Sequence, residues 1–285
     1  AEAYKLTVTA NGVEIRASSR AGFFYGLQTL SQLLPPAFFA GTPAPTADWS
    51  VPGLDINDKP LLRHRGYMLD VARHFFDKTE VKRIIDMLAL YKMNRLHWHL
   101  TDDQGWRIEI KQLPELTKIG SHRSATVIGK NTGKYDGKPH GGFYTQEQCK
   151  DIIAYAAARN IVIIPEIDLP GHMLAALAAY PHLGCTGGPY EVGQIWGVSS
   201  DVLCAGNPQT YEFIDKVLGE VAQLFPGNYF HIGGDECPKT RWKTCPKCQA
   251  MIQKNQLQAE GKHSAEERLQ SYVIRHAENT LARYG

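Results

Sequence analysis

Residues 230–237 read "FHIGGDEC". An apolar, strand-like run stops at two glycines, and two adjacent carboxylates, Asp235 and Glu236, follow at once. Adjacent acids are common in solvated turns, but these follow a segment apolar enough to be buried. The glycines let the backbone turn tightly or come close to a ligand. Carboxylates in such a place can have their pKa values driven apart, so that one stays protonated and acts as an acid near neutrality. Glycoside hydrolysis is the reaction class that most often needs two carboxyl groups. Two neighbouring residues leave the scaffold at one point, however, and do not easily flank a sugar ring from opposite faces. The pair suits a substrate that supplies its own nucleophile.

Three other apolar segments end in the same manner. "RGYMLDV" ends in Asp70 with Arg73 and His74 just beyond, and "RLHWHLT" runs into Thr101, Asp102 and Asp103. "IVIIPEID" carries Glu166 and Asp168 and leads to His172 in "DLPGH". Polar groups at four consecutive strand ends point to one rim. Between the strands lie helical patterns: "DKTEVKRIIDMLALYKMN", capped by Asp77 or Thr79 with Glu80 in its first turn, then "TQEQCKDIIAYAAARN" and "NPQTYEFIDKVLGEVAQLF". A last helix, "SAEERLQSYVIRHAENTLARYG", ends the chain.

Apolar strands alternating with helices predict an α/β fold with a parallel sheet buried on both faces. A doubly wound sheet usually announces a phosphate loop after its first strand, and "MLDVARHFF" has no glycine-rich turn. A (β/α)8 TIM barrel gathers function at the C-terminal ends of its strands, as here. The expectation is a partial barrel over residues 59–285, its first four βα units, cut at both ends of the sequence. Residues 1–58 read as the C-terminal part of a small α+β domain plus a linker. "YKLTVTANGVEIRASS" alternates on either side of Asn11-Gly12, a hairpin signal, and "AGFFYGLQTLSQLLP" is helical up to Pro35-Pro36. Residues 35–60 are Pro-rich and read as an irregular linker or covering segment.

Composition excludes little but excludes it cleanly. The chain has 285 residues, 43% hydrophobic and 21% charged, with a net charge of +2, an ordinary globular balance without the basic patch of a nucleic-acid binder. No apolar run approaches the roughly 18 residues of a membrane span. The N-terminus lacks a signal-peptide pattern. Of the six cysteines, Cys245 and Cys248 form a C-P-K-C with Cys237 nearby. That spacing admits a zinc site, with His263 as the available fourth ligand, but disulfides or plain thiols are the favoured reading. Cys185 and Cys204 bracket a glycine-rich loop, a natural disulfide staple in an oxidising compartment.

"HIGGDE", with "RGYMLDVARHF", "NRLHWHLTDDQGWRIEIKQLPEL" and "IPEIDLPGH", resembles glycoside hydrolase family 20, the β-N-acetylhexosaminidases. The resemblance runs from about residue 4 to the end. It implies removal of terminal, non-reducing, β-linked N-acetylglucosamine or N-acetylgalactosamine by substrate-assisted retaining catalysis, the 2-acetamido oxygen attacking the anomeric carbon. Carried over by motif, Glu236 is the general acid and base, Asp235 orients the acetamido group, and His172 supports Glu236 with Asp102 as charge partner. Arg73, Asp168 and Asp103 are assigned to substrate binding. Trp98 and Trp106 are expected in the core rather than as sugar platforms. The resemblance implies a carbohydrate partner (a chitooligosaccharide or glycan), no cofactor and no metal, and a periplasmic, secreted or cell-surface location. It also implies that the 285-residue chain taken alone is inactive. Two rival readings stand beside it: a metal-dependent barrel hydrolase using His97 and His99, and an inactive sugar-binding fragment.

Overall fold

The computed structural model describes every residue except Ala1, Thr42 and Ala44. In chain order the elements are β1 (Tyr4–Thr9), β2 (Gly12–Ala17), α1 (Arg20–Leu33), β3 (Leu54–Asp58), β4 (Gly66–Asp70), α2 (Lys78–Leu90), β5 (Arg95–His99), β6 (Thr101–Asp102) and β7 (Gly105–Trp106). There follow α3 (Glu115–Lys118), β8 (His122–Arg123), β9 (His140–Gly141), α4 (Gln146–Ala158), β10 (Val162–Glu166), α5 (Leu174–Ala179), α6 (Pro208–Leu224), α7 (Thr240–Thr244), α8 (Pro246–Lys254) and α9 (Ala265–Ala282). Residues 1–67, 82–96 and 155–162 form one unit, and residues 68–81, 97–154 and 163–285 form the other.

The first unit holds an antiparallel sheet in the order β2-β1-β3. Its hairpin turns at Ala10-Asn11, with Thr9 opposite Gly12, whose φ of +147° a side chain would resist. Tyr4, Leu6, Val8 and Tyr25 are buried, with Ile15, Leu54 and Ile56 packed against them. Lys92 ties the sheet's polar end by donating to Tyr4 Oη at 2.8 Å and Asp58 Oδ2 at 3.1 Å. β3 corrects the reading of residues 35–60 as irregular throughout. Leu54 and Ile56 alternate with Asp55 and Asn57, so an edge strand with one apolar face hides behind a polar composition.

The helices start where their caps dictate. Asp77 Oδ1 accepts the Thr79 and Glu80 amides at 2.7 and 3.0 Å, while Glu80 reaches back to the Asp77 amide at 3.3 Å. Thr145 and Gln148 make the same reciprocal pair before α4, and Ser264 and Glu267 make it before α9. Asn207 caps α6 through the Gln209 amide, with Pro208 in the first turn.

In the second unit the strand ends line up as sequential parallel neighbours, in the order β10-β5-β4. Val71 N–H donates to His99 O, and Leu100 N–H to Glu166 O, each at 3.2 Å. Ile167 and Leu169 then donate to His231 and Ile232. The expected fourth strand, "YFHIGG", is thus in register beside β10 but reduced to a single bridge, Glu166 to His231. The physical reason lies in its own sequence: Gly233 and Gly234 take φ of +62° and +99°, which ends extended pairing two residues after the bridge. Trp98, Trp106, Tyr144, Phe213 and Phe225 fill the interior, with Trp98 and Tyr144 ring centroids 4.7 Å apart.

Candidate active site

The turn after His231 is built around one buried carboxylate. Asp168 Oδ1 accepts the Gly234 amide at 3.1 Å, and a Cβ on Gly233 would lie 1.6 Å from the same oxygen. Only glycine fits there. Gly171 plays a matching part from the other side, where a Cβ would lie 3.1 Å from Cys237 Cα. These two close approaches press the loop of Asp235 and Glu236 onto the loop of His172. Burial first, and then the nearby Asp235 charge, push the Asp168 carboxyl up to about 7.

His172 and Glu236 face each other with Nε2 and Oε2 3.4 Å apart, and Asp235 Oδ2 lies 4.0 Å from the same nitrogen. Both His172 and Glu236 occupy the left-handed backbone region, at φ of 53° and 42°. Such conformations cost about 1–3 kcal/mol each and persist where surroundings impose them. His172 is buried while the side chains of Asp235 and Glu236 are 66% and 61% exposed. Among the described residues His172 Nε2 is buried without a hydrogen-bond partner, and the polar atoms it faces are those of the acid pair. Hydrogen bonds to Asp102 and Asp103 raise its pKa to about 11, against the cost of burial. At neutral pH the ring is therefore an imidazolium with an N–H directed at Glu236.

Behind it, Asp102 is the hub. Its carboxylate receives Arg73 Nη2 at 2.7 Å, His99 Nε2 at 2.9 Å and His172 Nδ1 at 3.2 Å. Burial opposes ionisation of Asp102, but His172, His99 and Arg73 hold its pKa below the usual carboxylate value. Arg73 Nη1 also meets Asp70 at 3.2 Å, and its side chain is 25% exposed. Asp103 and Asp168 lie in the interior, 3% and 1% exposed, rather than on the surface where a sugar would touch them. The Asp103 carboxylate accepts the Leu174 amide at the start of α5 and stands 3.5 Å from His172 Nδ1. Trp98 and Trp106 are fully interior.

A second network, centred on Glu166, was only half visible in the sequence. His97 Nε2 and His99 Nδ1 both reach Glu166 Oε2 at 2.6 Å, and His231 Nδ1 reaches Oε1 at 2.9 Å. Burial notwithstanding, these histidines pull the Glu166 carboxyl far down, and against its own burial His99 is held up at about 10 by Asp102 and Glu166. The period of two in "HWH" does put His97 and His99 on one face. Both ring nitrogens of His99 are committed to carboxylates, however, so it cannot be half of a metal pair. Arg107 had no signal at all: fully buried, it donates to the carbonyls of Val71, Ala72, Ser121 and Gly142 at 2.6–3.1 Å, fixing the turn that carries Arg73.

Known proteins resemble this chain along its whole length. Residues 62–285 match the family model "Glycosyl hydrolase family 20, catalytic domain", and residues 1–59 match "Glycosyl hydrolase family 20, domain 2". A beta-hexosaminidase of Porphyromonas gingivalis is 49% identical over 284 residues, covering 100% of this chain and 34% of its own length. One from Vibrio furnissii is 44% identical, covering 99% of this chain and 44% of its own. The chain thus spans less than half the length of these two relatives. The crystal structure of an exo beta-N-acetylglucosaminidase from Vibrio harveyi, in complex with N-acetylglucosamine, covers all of this chain and 43% of its own with a TM-score of 0.83 and 42% identity. On its two family-model matches and its identity to these relatives, the chain belongs to glycosyl hydrolase family 20.

Proposed function

We propose that the whole protein removes terminal, non-reducing, β-linked N-acetylhexosamine residues by a retaining mechanism in which the substrate's 2-acetamido oxygen is the nucleophile. The observation that carries the reading is the contact of a buried, charge-backed imidazolium with Glu236, beside an exposed Asp235 on the same turn. Glu236 protonates the leaving glycosidic oxygen, the anomeric bond breaks as the acetamido oxygen attacks, and an oxazolinium intermediate forms. Glu236, now a carboxylate, takes a proton from water as that water opens the ring. His172 steadies the carboxylate between the steps through its Nε2–H, and Asp102 keeps the imidazole charged. Asp235 accepts the acetamido N–H and aims the carbonyl oxygen. Arg73, pinned by Asp70 and Asp102 yet partly exposed, donates to sugar hydroxyls. Asp168 and Asp103 act from behind, holding the two loops.

The test is turnover of a chromogenic β-N-acetylglucosaminide by the whole protein and its Glu236→Gln and Asp235→Asn variants. The proposal expects the first to lose its rate for poor leaving groups and the second to lose rate for all of them. Normal hydrolysis of substrates with poor leaving groups by Glu236→Gln would show that another group is the acid. Export to the periplasm, cell surface or medium belongs to the same proposal, and cell fractionation followed by this assay tests it.

A further inference from the structure

Away from the acid pair, four of the six cysteines meet. Cys185 follows the turn after α5, Cys204 closes the 185–204 loop, Cys245 caps the start of α8 and Cys248 sits in its first turn. One sulfur from each lies within 4.8 Å of every other. Cys204 Sγ is 3.7 Å from both Cys245 and Cys248, and Cys185 Sγ is 3.8 Å from Cys248. This is a different set from the one suggested by spacing, since Cys237 and His263 stay outside it and Cys185 and Cys204 complete it. The anticipated Cys185–Cys204 staple is not formed, and all six thiols are unbridged.

We infer that Cys185, Cys204, Cys245 and Cys248 hold one zinc ion as a tetrahedral, four-thiolate structural site. The distances make the argument. With Zn–S bonds of about 2.3 Å, the edge of a regular ZnS4 tetrahedron is about 3.8 Å, and three of the sulfur separations, at 3.7–3.8 Å, match it. A disulfide demands a separation of about 2.0 Å between two chosen partners. Here Cys204 stands equally far from Cys245 and Cys248, and Cys248 is shared by Cys185 and Cys204, so no pairing is singled out. Cys204 and Cys248 are fully buried and Cys245 nearly so. Soft thiolates in tetrahedral array select zinc among the common divalent ions.

The surroundings are arranged for thiolates. The Gly206 amide reaches the sulfurs of Cys204 and Cys248. It comes that close because Gly206 has no side chain: a Cβ would lie 2.1 Å from the Lys247 carbonyl carbon. The N-terminal end of α8 adds its positive partial charge beside Cys245 and Cys248. Hydrogen bonds from the Cys204 backbone N–H to Leu183 O, and from the Trp242 side-chain Nε1–H to Leu203 O, hold the loop in place. Zinc binding releases the thiol protons and ties the 185–204 loop to α7 and α8, which directly follow the turn of Glu236.

The experiment uses protein purified under reducing conditions with zinc chloride and no chelator. Elemental analysis is expected to give one zinc per chain, and cobalt(II) exchange to give sulfur-to-metal charge-transfer and d–d bands of a tetrahedral thiolate site. Cys204→Ser should drop zinc from one per chain to background, while Cys149→Ser and Cys237→Ser retain it. Should Cys204→Ser fail to fold, the cobalt spectrum of the unsubstituted protein still decides. Four alkylatable thiols with no bound metal would overturn the inference. So would iron in place of zinc, or an intact mass four hydrogens light with these cysteines linked in pairs.

Discussion

Two buried polar clusters in the second unit solve opposite electrostatic problems. Around Asp102, every charge has a partner of opposite sign in the chain itself: Arg73, His99 and His172 converge on one carboxylate. Around Cys204, four acidic thiols converge with no basic side chain among them. The first cluster is complete as polypeptide and leaves one polar atom, His172 Nε2, aimed outward at Glu236. The second, on the inference above, is closed by a zinc ion. A self-neutralised cluster can tune a proton at its edge, whereas a cluster of like groups can only serve as a clamp.

The sharpest way to break the comparison is at the acid. Glu236→Gln in the whole protein should cut kcat by about 10²–10⁴-fold, the usual contribution of a positioned general acid, with Cys-cluster metal content unchanged. Asp102→Ala should unfold more readily, by about 3–5 kcal/mol in denaturant titration, because it strands Arg73, His99 and His172 together without their shared anion. Stripping zinc with a strong chelator under reducing conditions should lower the thermal midpoint, by about 2–4 °C for each kcal/mol lost, without moving the pH profile of activity. Gly233→Ala should cost about 1–3 kcal/mol from backbone strain alone, and more as Asp168 is displaced from the 1.6 Å contact.

A further effect is a pH dependence. His172 titrates near 11 and His99 near 10 when folded, against about 6.5 in an unfolded chain. A raised histidine pKa contributes stability that is fully present below about 6.5 and is lost as pH climbs through the folded value. The thermal midpoint should therefore fall between neutral pH and about 11, and fall less in His172→Gln than in the unsubstituted protein. An equal fall in both would mean that His172 carries no such charge.

Local patterns gave up the hairpin, the capped helices and the run of polar strand ends, because periodicity, caps and turn glycines act over a few residues. "HIGGDE" pointed at Asp235 and Glu236 for the same reason, and "DLPGH" at His172. The edge strand β3 escaped because its apolar face is two residues, Leu54 and Ile56, among acids and prolines. The fourth strand was overread because apolar composition does not reveal that two left-handed glycines cut it short. Asp103 looked like Asp102 in sequence, yet it accepts the Leu174 amide of α5 where Asp102 meets Arg73 and His99, a difference that depends on where α5 lands.

The order of strands and helices, the identity of the acid pair and the need for glycine beside it were written in contiguous residues, where short-range sterics and burial rule. Folding in three dimensions settled which histidine nitrogens are taken, why Arg107 is buried and which four cysteines meet. Those outcomes join segments as far as 70 residues apart, as between His172 and Asp102, and depend on distances that no local pattern encodes. The two glycines of 233 and 234 belong to both levels: their φ is a local demand, but Asp168 is the reason for it.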